Sequence, residues 1–305
     1  VLNELPDLQP RIQVSLFSIL EEKEIQIRGF KVRLPLDIQF IFTSNPEDYT
    51  NRGTIVTPLK DRVGSQILTH YPESIEVAKK ITKQESKINS DLGSKIHIPE
   101  VARDIIEQIS FEARESDLVD RKSGVSARMS ITSLQNLVSS AERRMIINNE
   151  ENTSIRMSDF SSVISSINGK VELVYEGEEE GAEQVSYNLI SSAVKSIFNK
   201  YFPRIEKLTK PDEITPYDSI LKWFSSKQLV INDNLKNKDY EDLINQVEDA
   251  KKLIEEFIPK LNKNDELFFI EFILWGLESY NKLSILRTNN GIEYKDPFNN
   301  FINKI

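Results

Sequence analysis

The apolar positions of this chain change period twice, and each change marks a different kind of element. After Pro10, the residues Ile12, Leu16, Phe17, Ile19 and Leu20 recur at helical spacing, with the proline in a first turn that needs no N–H. The period then drops to two. Ile25 and Ile27 alternate with Gln26 and Arg28, Gly29 supplies a turn, and Phe30, Val32 and Leu34 alternate with Lys31 and Arg33. That pattern predicts a β-hairpin with one apolar face. Ile38 to Thr43 is more continuously apolar, as in a parallel strand covered on both faces. From residue 73 to 170 the spacing is helical again. Ile75, Ala78 and Ile81 mark one helix, and Pro99 starts another carrying Val101, Ala102, Ile105 and Ile109. Ser126 caps a long one through Met129, Leu134, Leu137, Ala141 and Met145, and Ser158-Asp159 opens a shorter one with Phe160, Val163 and Ile164. The polar stretch from Ser86 to Ser94 reads as an exposed loop.

Beyond Gly169 the signals are sparser. Val171, Leu173 and Tyr175 alternate briefly, and the acidic run Glu176 to Gly181 reads as a solvated loop. Tyr240, Leu243, Ile244, Val247, Leu253, Ile254 and Phe257 form one stripe, which predicts a single helix capped by Asp239 and ended near Pro259. Leu267 to Leu277 is apolar almost all round, the mark of a central helix, and Trp223 and Trp275 sit on helical faces as core residues. The expected organisation is an α/β segment over residues 1–72, an all-α segment over 73–170 and a helical C-terminal domain over 171–305, mostly α overall.

Composition narrows the class. The chain has 305 residues, 39% hydrophobic and 29% charged, which fits one large core or a few modest ones. No apolar run approaches the ~20 residues of a membrane helix, so no membrane partner is expected. The absence of cysteine excludes disulfides and thiolate metal sites and fits a reducing cytoplasm. A net charge of −9 argues against a nucleic-acid partner. His70 and His97 have no neighbouring ligand pattern, so no metal site is expected from them.

Candidate chemistry concentrates near the start. Asn3-Glu4 follows Leu2, and Glu4 places a carboxylate where a turn begins. Asn45 follows the apolar run of 38–43 and precedes Pro46, which forces an extended residue before it and sets a carboxamide at a strand's C-terminal edge. Arg62 closes Leu59-Lys60-Asp61-Arg62, and its planar guanidinium can meet phosphate oxygens in bidentate fashion; as an ordinary surface residue it would pair with Asp61. Arg128 opens the long helix in Gly124-Val-Ser-Ala-Arg128, with Arg121 and Arg143 as competing surface charges. A phosphate-binding loop, G-x-x-x-x-G-K-[ST], is absent; Gly169-Lys170 lacks both the upstream glycine and the hydroxyl residue.

Taken in order, Asn3-Glu4, the hairpin, Asn45, Arg62 and Arg128 resemble the second half of an AAA+ ATPase core and its helical lid, in the magnesium-chelatase and MoxR branch. The fold this implies is a partial P-loop NTPase core over 1–72 followed by the lid over 73–170, with residues 171–305 outside the shared part. The resemblance gives Glu4 the polarising of the attacking water, Asn45 the sensor-1 place, Arg62 the place of an arginine finger acting on the neighbouring subunit's ATP, and Arg128 the sensor-2 place. Asn3 stands where the family has Asp, and Val63 where it has Phe. Neutral Asn3 would hold a hydrated Mg²⁺ less tightly. ATP and Mg²⁺ are the implied cofactors, with a P-loop supplied upstream of Val1, so the chain is expected to be part of a longer protein and inactive alone. The implied partners are further copies of itself, commonly in a hexameric ring, and a protein client. Two other classes fit the same residues. One is a degenerate, non-hydrolysing assembly module; the other is a transcriptional-activator ATPase, which would need a DNA-binding domain that the acidic C-terminal half does not suggest.

Overall fold

The computed structural model describes residues 1–33, 37–45, 54–88, 90–205, 215–288 and 290–297. Leu34 and Pro46, on which part of the hairpin and Asn45 readings rest, lie outside them. The chain divides into two compact units, Val1–His70 and Tyr71–Ile305. Helix dominates, at 56% helical with small sheets.

In Val1–His70, helix α1 (Pro10–Phe17) begins on its proline and runs into a π-helical turn, Ser18–Glu22. Strands β1 (Glu24–Ile27) and β2 (Phe30–Arg33) pair antiparallel, with Ile27 opposite Phe30. Arg28 and Gly29 form the turn with φ of 49° and 87°. Two positive φ values match the right-handed strand twist in a two-residue hairpin, and glycine takes the second without steric cost. Helix α2 (Thr57–Arg62) follows. The core is small: Leu5, Leu16 and Leu59 are buried, with Phe17, Leu20, Phe42 and Val56 packed around them. Gln13 is fully buried beside it and saturates its amide, donating to the carbonyls of Leu8 (2.9 Å) and Thr54 (3.2 Å) and accepting from Val56 N–H at 2.9 Å. The expected strand over Ile38–Thr43 reduces to one parallel bridge, Leu2 to Phe42. Ile38 and Ile41 stay exposed, because no second layer among the described residues covers the faces their apolarity would suit.

Tyr71–Ile305 is built on helices α3 (Ile75–Glu85), α4 (Ser90–Lys95), α5 (Glu100–Glu115) and α6 (Arg128–Ile147). Ser74 caps α3 by accepting from Val77 N–H at 3.3 Å, and Ser126 accepts from Arg128 N–H at 3.2 Å at the start of α6. Part of the expected Ser86–Ser94 loop is therefore helical. The segment is not wholly helical either, since β3 (Ile96–His97) pairs parallel with β4 (Thr153–Ser154). A 3-10 turn, Met157–Val163, leads into α7 (Ile164–Asn168), starting one residue before the expected Ser158. Asp159 is its third residue, accepting from Arg156 N–H at 2.8 Å.

The acidic run is helix α8 (Tyr175–Glu180), not a loop, and Leu173 meets Val119 in one antiparallel bridge. Then come α9 (Ala182–Tyr201), α10 (Asp218–Phe224), β5 (Leu229–Asn232), α11 (Asn237–Ile244), α12 (Glu248–Phe257), α13 (Lys263–Ser279), β6 (Ser284–Thr288) and β7 (Gly291–Lys295). The single helix expected over 240–257 is two, broken at Asn245–Val247, and Asp239 lies in the first turn of α11 while Lys236 holds the cap position. A helical C-terminal segment also omitted a three-stranded antiparallel sheet, β5-β7-β6. Its strands are four or five residues long, too short to separate from helical turns by periodicity.

Helix α13 is central, buried from Phe268 through Leu277. It packs against α9, where a Cβ on Gly276 would lie 2.2 Å from the Phe198 ring. Phe198 also meets Phe202, Tyr217, Phe272 and Tyr280 at centroid distances of 5.1–6.4 Å. One continuous core joins α5, α6, α9 and α13. No helix among the described residues is long and apolar enough to cross a membrane.

Candidate functional site

The Leu2–Phe42 bridge is parallel, so both segments leave it at the same end. Leu2 N–H donates to the Ile41 carbonyl at 2.9 Å, and Thr43 N–H donates to the Leu2 carbonyl at 3.0 Å. Asn3 and Glu4 continue one segment; Thr43, Ser44 and Asn45 continue the other. Thr43 ties them together. Its Oγ1 accepts from Glu4 N–H at 3.2 Å and donates to Asn3 Oδ1 at 3.3 Å, while its carbonyl accepts from Leu5 N–H at 2.9 Å. Glu4 is left-handed, with φ 52° and ψ 55°, where the chain turns into the 3-10 segment Leu5–Asp7. A non-glycine residue held there costs on the order of 1–3 kcal/mol and persists only when its surroundings fix it. Leu5 supplies that fixing: it is buried in the small core. The structure therefore brings Asn3, Glu4 and Asn45 to one exposed edge, with a carboxylate, two carboxamides and a hydroxyl among them. This donor set suits ordering water beside an anion. It contains no cradle of backbone N–H groups for phosphates.

Arg62 ends α2 and is committed within its own unit. Nη1 donates to the Pro58 carbonyl at 2.8 Å, and Nη2 donates to Glu21 Oε2 at 3.1 Å. Nε lies 2.9 Å from Glu21 Oε1 but makes no hydrogen bond, so the ion pair has one hydrogen bond and not two. The guanidinium carbon also sits 4.9 Å from the centre of the Phe17 ring. Its ion-pair partner is thus Glu21, on the π-helical turn, and not the adjacent Asp61. Helix geometry explains the choice, because consecutive residues point away from each other. Arg128 is exposed at the start of α6 in Tyr71–Ile305, and its carbonyl accepts from Thr132 Oγ1 at 2.9 Å.

Two polar arrangements escaped the sequence. His97 Nε2 lies 2.8 Å from Asp265 Oδ1, a partner 168 residues away that no local pattern announces. The other is sealed inside Tyr71–Ile305. Arg144 pairs with Asp159 and donates to the Ser154 carbonyl at 2.7 Å. Glu271, the one charge in the apolar face of α13, accepts from Met157 N–H (3.0 Å), Tyr240 Oη (2.8 Å) and Tyr294 Oη (2.8 Å); Trp275 Nε1 donates to Tyr294 Oη at 2.8 Å. Burial pushes the Glu271 carboxyl up, and burial lifts the Tyr240 and Tyr294 phenols well above their ordinary range. Arg156, 4.0 Å over the Tyr240 ring, is lowered to about 10, first by burial and then by Arg144. The lone Glu271 in an apolar run was the available signal. The Glu271 oxygens are partnered, Arg144 Nε and Arg156 Nη1 are buried without a hydrogen bond, and the burial of the whole cluster fits a structural role.

Among the described residues, no group of three or more His, Cys, Asp or Glu could hold a metal ion. No family model matches the chain, and no curated protein and no solved structure matches it either.

Proposed function

We propose that this chain is part of a ring-forming AAA+ ATPase of the magnesium-chelatase and MoxR-like type, which remodels a partner protein. The observation that carries the reading is the parallel Leu2–Phe42 bridge. It sends Asn3-Glu4 and Thr43-Ser44-Asn45 out of the same end of the bridge, and in this reading that end corresponds to the ligand-binding edge of an open α/β sheet. In this reading Glu4 polarises water, Asn45 orients it, and Asn3 helps to order hydrated Mg²⁺. Arg62 stabilises charge on a neighbouring subunit's ATP and Arg128 senses bound nucleotide. ATP supplies the transferable phosphoryl group, and the loop that cradles its phosphates comes from residues outside these 305.

Arg62 bears on a second reading. Its contacts to Glu21, Pro58 and Phe17 would have to open before it could reach another subunit. A guanidinium retained by its own subunit, together with a neutral Asn3, fits a non-hydrolysing assembly module. The full-length protein separates the two. Asn3→Asp should raise ATP turnover or lower the Mg²⁺ needed for it, and light scattering with an ATP analogue should show a ring. A ring without turnover in either form favours the assembly module. A protein that stays monomeric with nucleotide at high concentration contradicts both.

A further inference from the structure

An open cleft of about 660 Å³ lies wholly within Tyr71–Ile305, bounded by α3, α4, β3, β4 and the starts of α5 and α13. Its volume falls in the range of small-molecule sites, roughly 300–1,000 Å³. The lining is polar and one-signed. Lys83, Lys95 and Arg103 line it from three different helices, and no carboxylate lines it among the described residues. Of the carboxylates nearby, Asp104 pairs with Lys79 at 2.6 Å and Glu100 with Lys79 at 3.6 Å, while Asp265 pairs at 2.8 Å with His97, which itself lines the cleft. Glu100 also approaches Arg103 Nε at 3.6 Å, beyond hydrogen-bond distance. None of these ion pairs involves Lys83 or Lys95. Ser86, Ser94 and Asn264 add neutral hydrogen-bonding groups.

Three cations line one concavity in a chain of net charge −9, which gives that concavity a local field of the opposite sign to the whole. We propose that this cleft binds a small polyanion of the diphosphate class, independently of the ATPase reading. One phosphoryl group cannot balance three cations drawn from three elements, whereas a diphosphate carries enough charge. Arg103 supplies planar recognition of phosphate oxygens, Lys83 and Lys95 supply point charges, and the Asn264 amide adds a neutral donor.

The test is calorimetric titration of inorganic pyrophosphate into the full chain at low ionic strength, where screening is weakest. Saturable one-to-one binding is expected. Lys83→Gln and Arg103→Gln should each weaken it at least about tenfold, the scale of one charge-assisted hydrogen bond. Lys238→Gln, at an exposed position on α11, should leave it unchanged, and so should Arg62→Ala and Asn45→Ala. Thermal melts establish that each variant is folded. Absence of saturable binding, or binding weakened equally by Lys238→Gln, overturns the proposal. A phosphoserine peptide binding more tightly than pyrophosphate also overturns it, because the ligand is then a protein.

Discussion

Val1–His70 and Tyr71–Ile305 start from the same kind of apolar patterning and reach opposite outcomes. In the second unit almost every periodic apolar residue finds a partner, and one core runs through α5, α6, α9 and α13. In the first, the apolar core among the described residues is Leu5, Leu16 and Leu59 alone, and more than half of the exposed large apolar side chains among the described residues lie in this unit. Phe30 is 77% exposed and Ile67 88% exposed, although the hairpin around Phe30 forms as its alternation requires. Periodicity makes an element; burial needs a second layer to receive it.

The largest effect expected from this contrast is kinetic and belongs to the first unit. Arg62→Ala in the full-length protein should cut ATP turnover by ~10³–10⁵, the range for arginine fingers, while ATP affinity and the melting of Tyr71–Ile305 stay unchanged. Next comes the core of the second unit. Arg144→Ala leaves Asp159 charged, buried and without its cation, which should cost about 3–5 kcal/mol in denaturant unfolding. Gly276→Ala is smaller. The gain in helix propensity of about 1 kcal/mol is opposed by overpacking against Phe198, and a net loss of about 1–2 kcal/mol is expected. Phe30→Ser, on the exposed hairpin, should change stability by less than about 0.5 kcal/mol.

Glu271 adds a pH signature to the same comparison. Burial raises its carboxyl above the ordinary 4.5, so the folded chain holds that proton more tightly than the unfolded chain. The resulting stability is fully present below pH 4.5 and is lost as pH rises through the raised value. Glu107 and Glu278 are also raised by burial and act in the same direction. The difference between the protein and Glu271→Gln isolates one group: the unsubstituted protein should lose stability relative to the variant between acid and neutral pH. A difference independent of pH would show that Glu271 does not titrate within the fold.

Local patterns carried the elements whose causes are local. Pro10 and Pro99 mark helix starts because no N–H is needed there, whereas Ser126, read as the cap of α6, lies one residue before the cap position, which Ala127 holds. The alternation across Gly29 gave the hairpin, and the all-round apolar stretch gave α13. What was not legible depends on distant partners. Ile38–Thr43 has the composition of a covered strand and no cover. The break between α11 and α12 interrupts a stripe whose apolar spacing continues across it. Arg62 pairs with Glu21, 41 residues away, instead of its neighbour Asp61. Asn3, Glu4 and Asn45 could be named from sequence, but their meeting at one edge depends on the Leu2–Phe42 pairing, and Thr43 emerged as their tie only from its hydrogen bonds.

The central claim is that Arg62 acts on ATP bound by another subunit, and complementation between inactive subunits tests it most directly. Full-length Arg62→Ala and full-length Glu4→Gln should each be nearly inactive. Mixed in one ring they create interfaces with both residues intact, so the mixture should recover a measurable fraction of turnover. A mixture that forms rings and stays as inactive as its parents would contradict action across the interface, and normal turnover by Arg62→Ala alone would contradict the assignment itself.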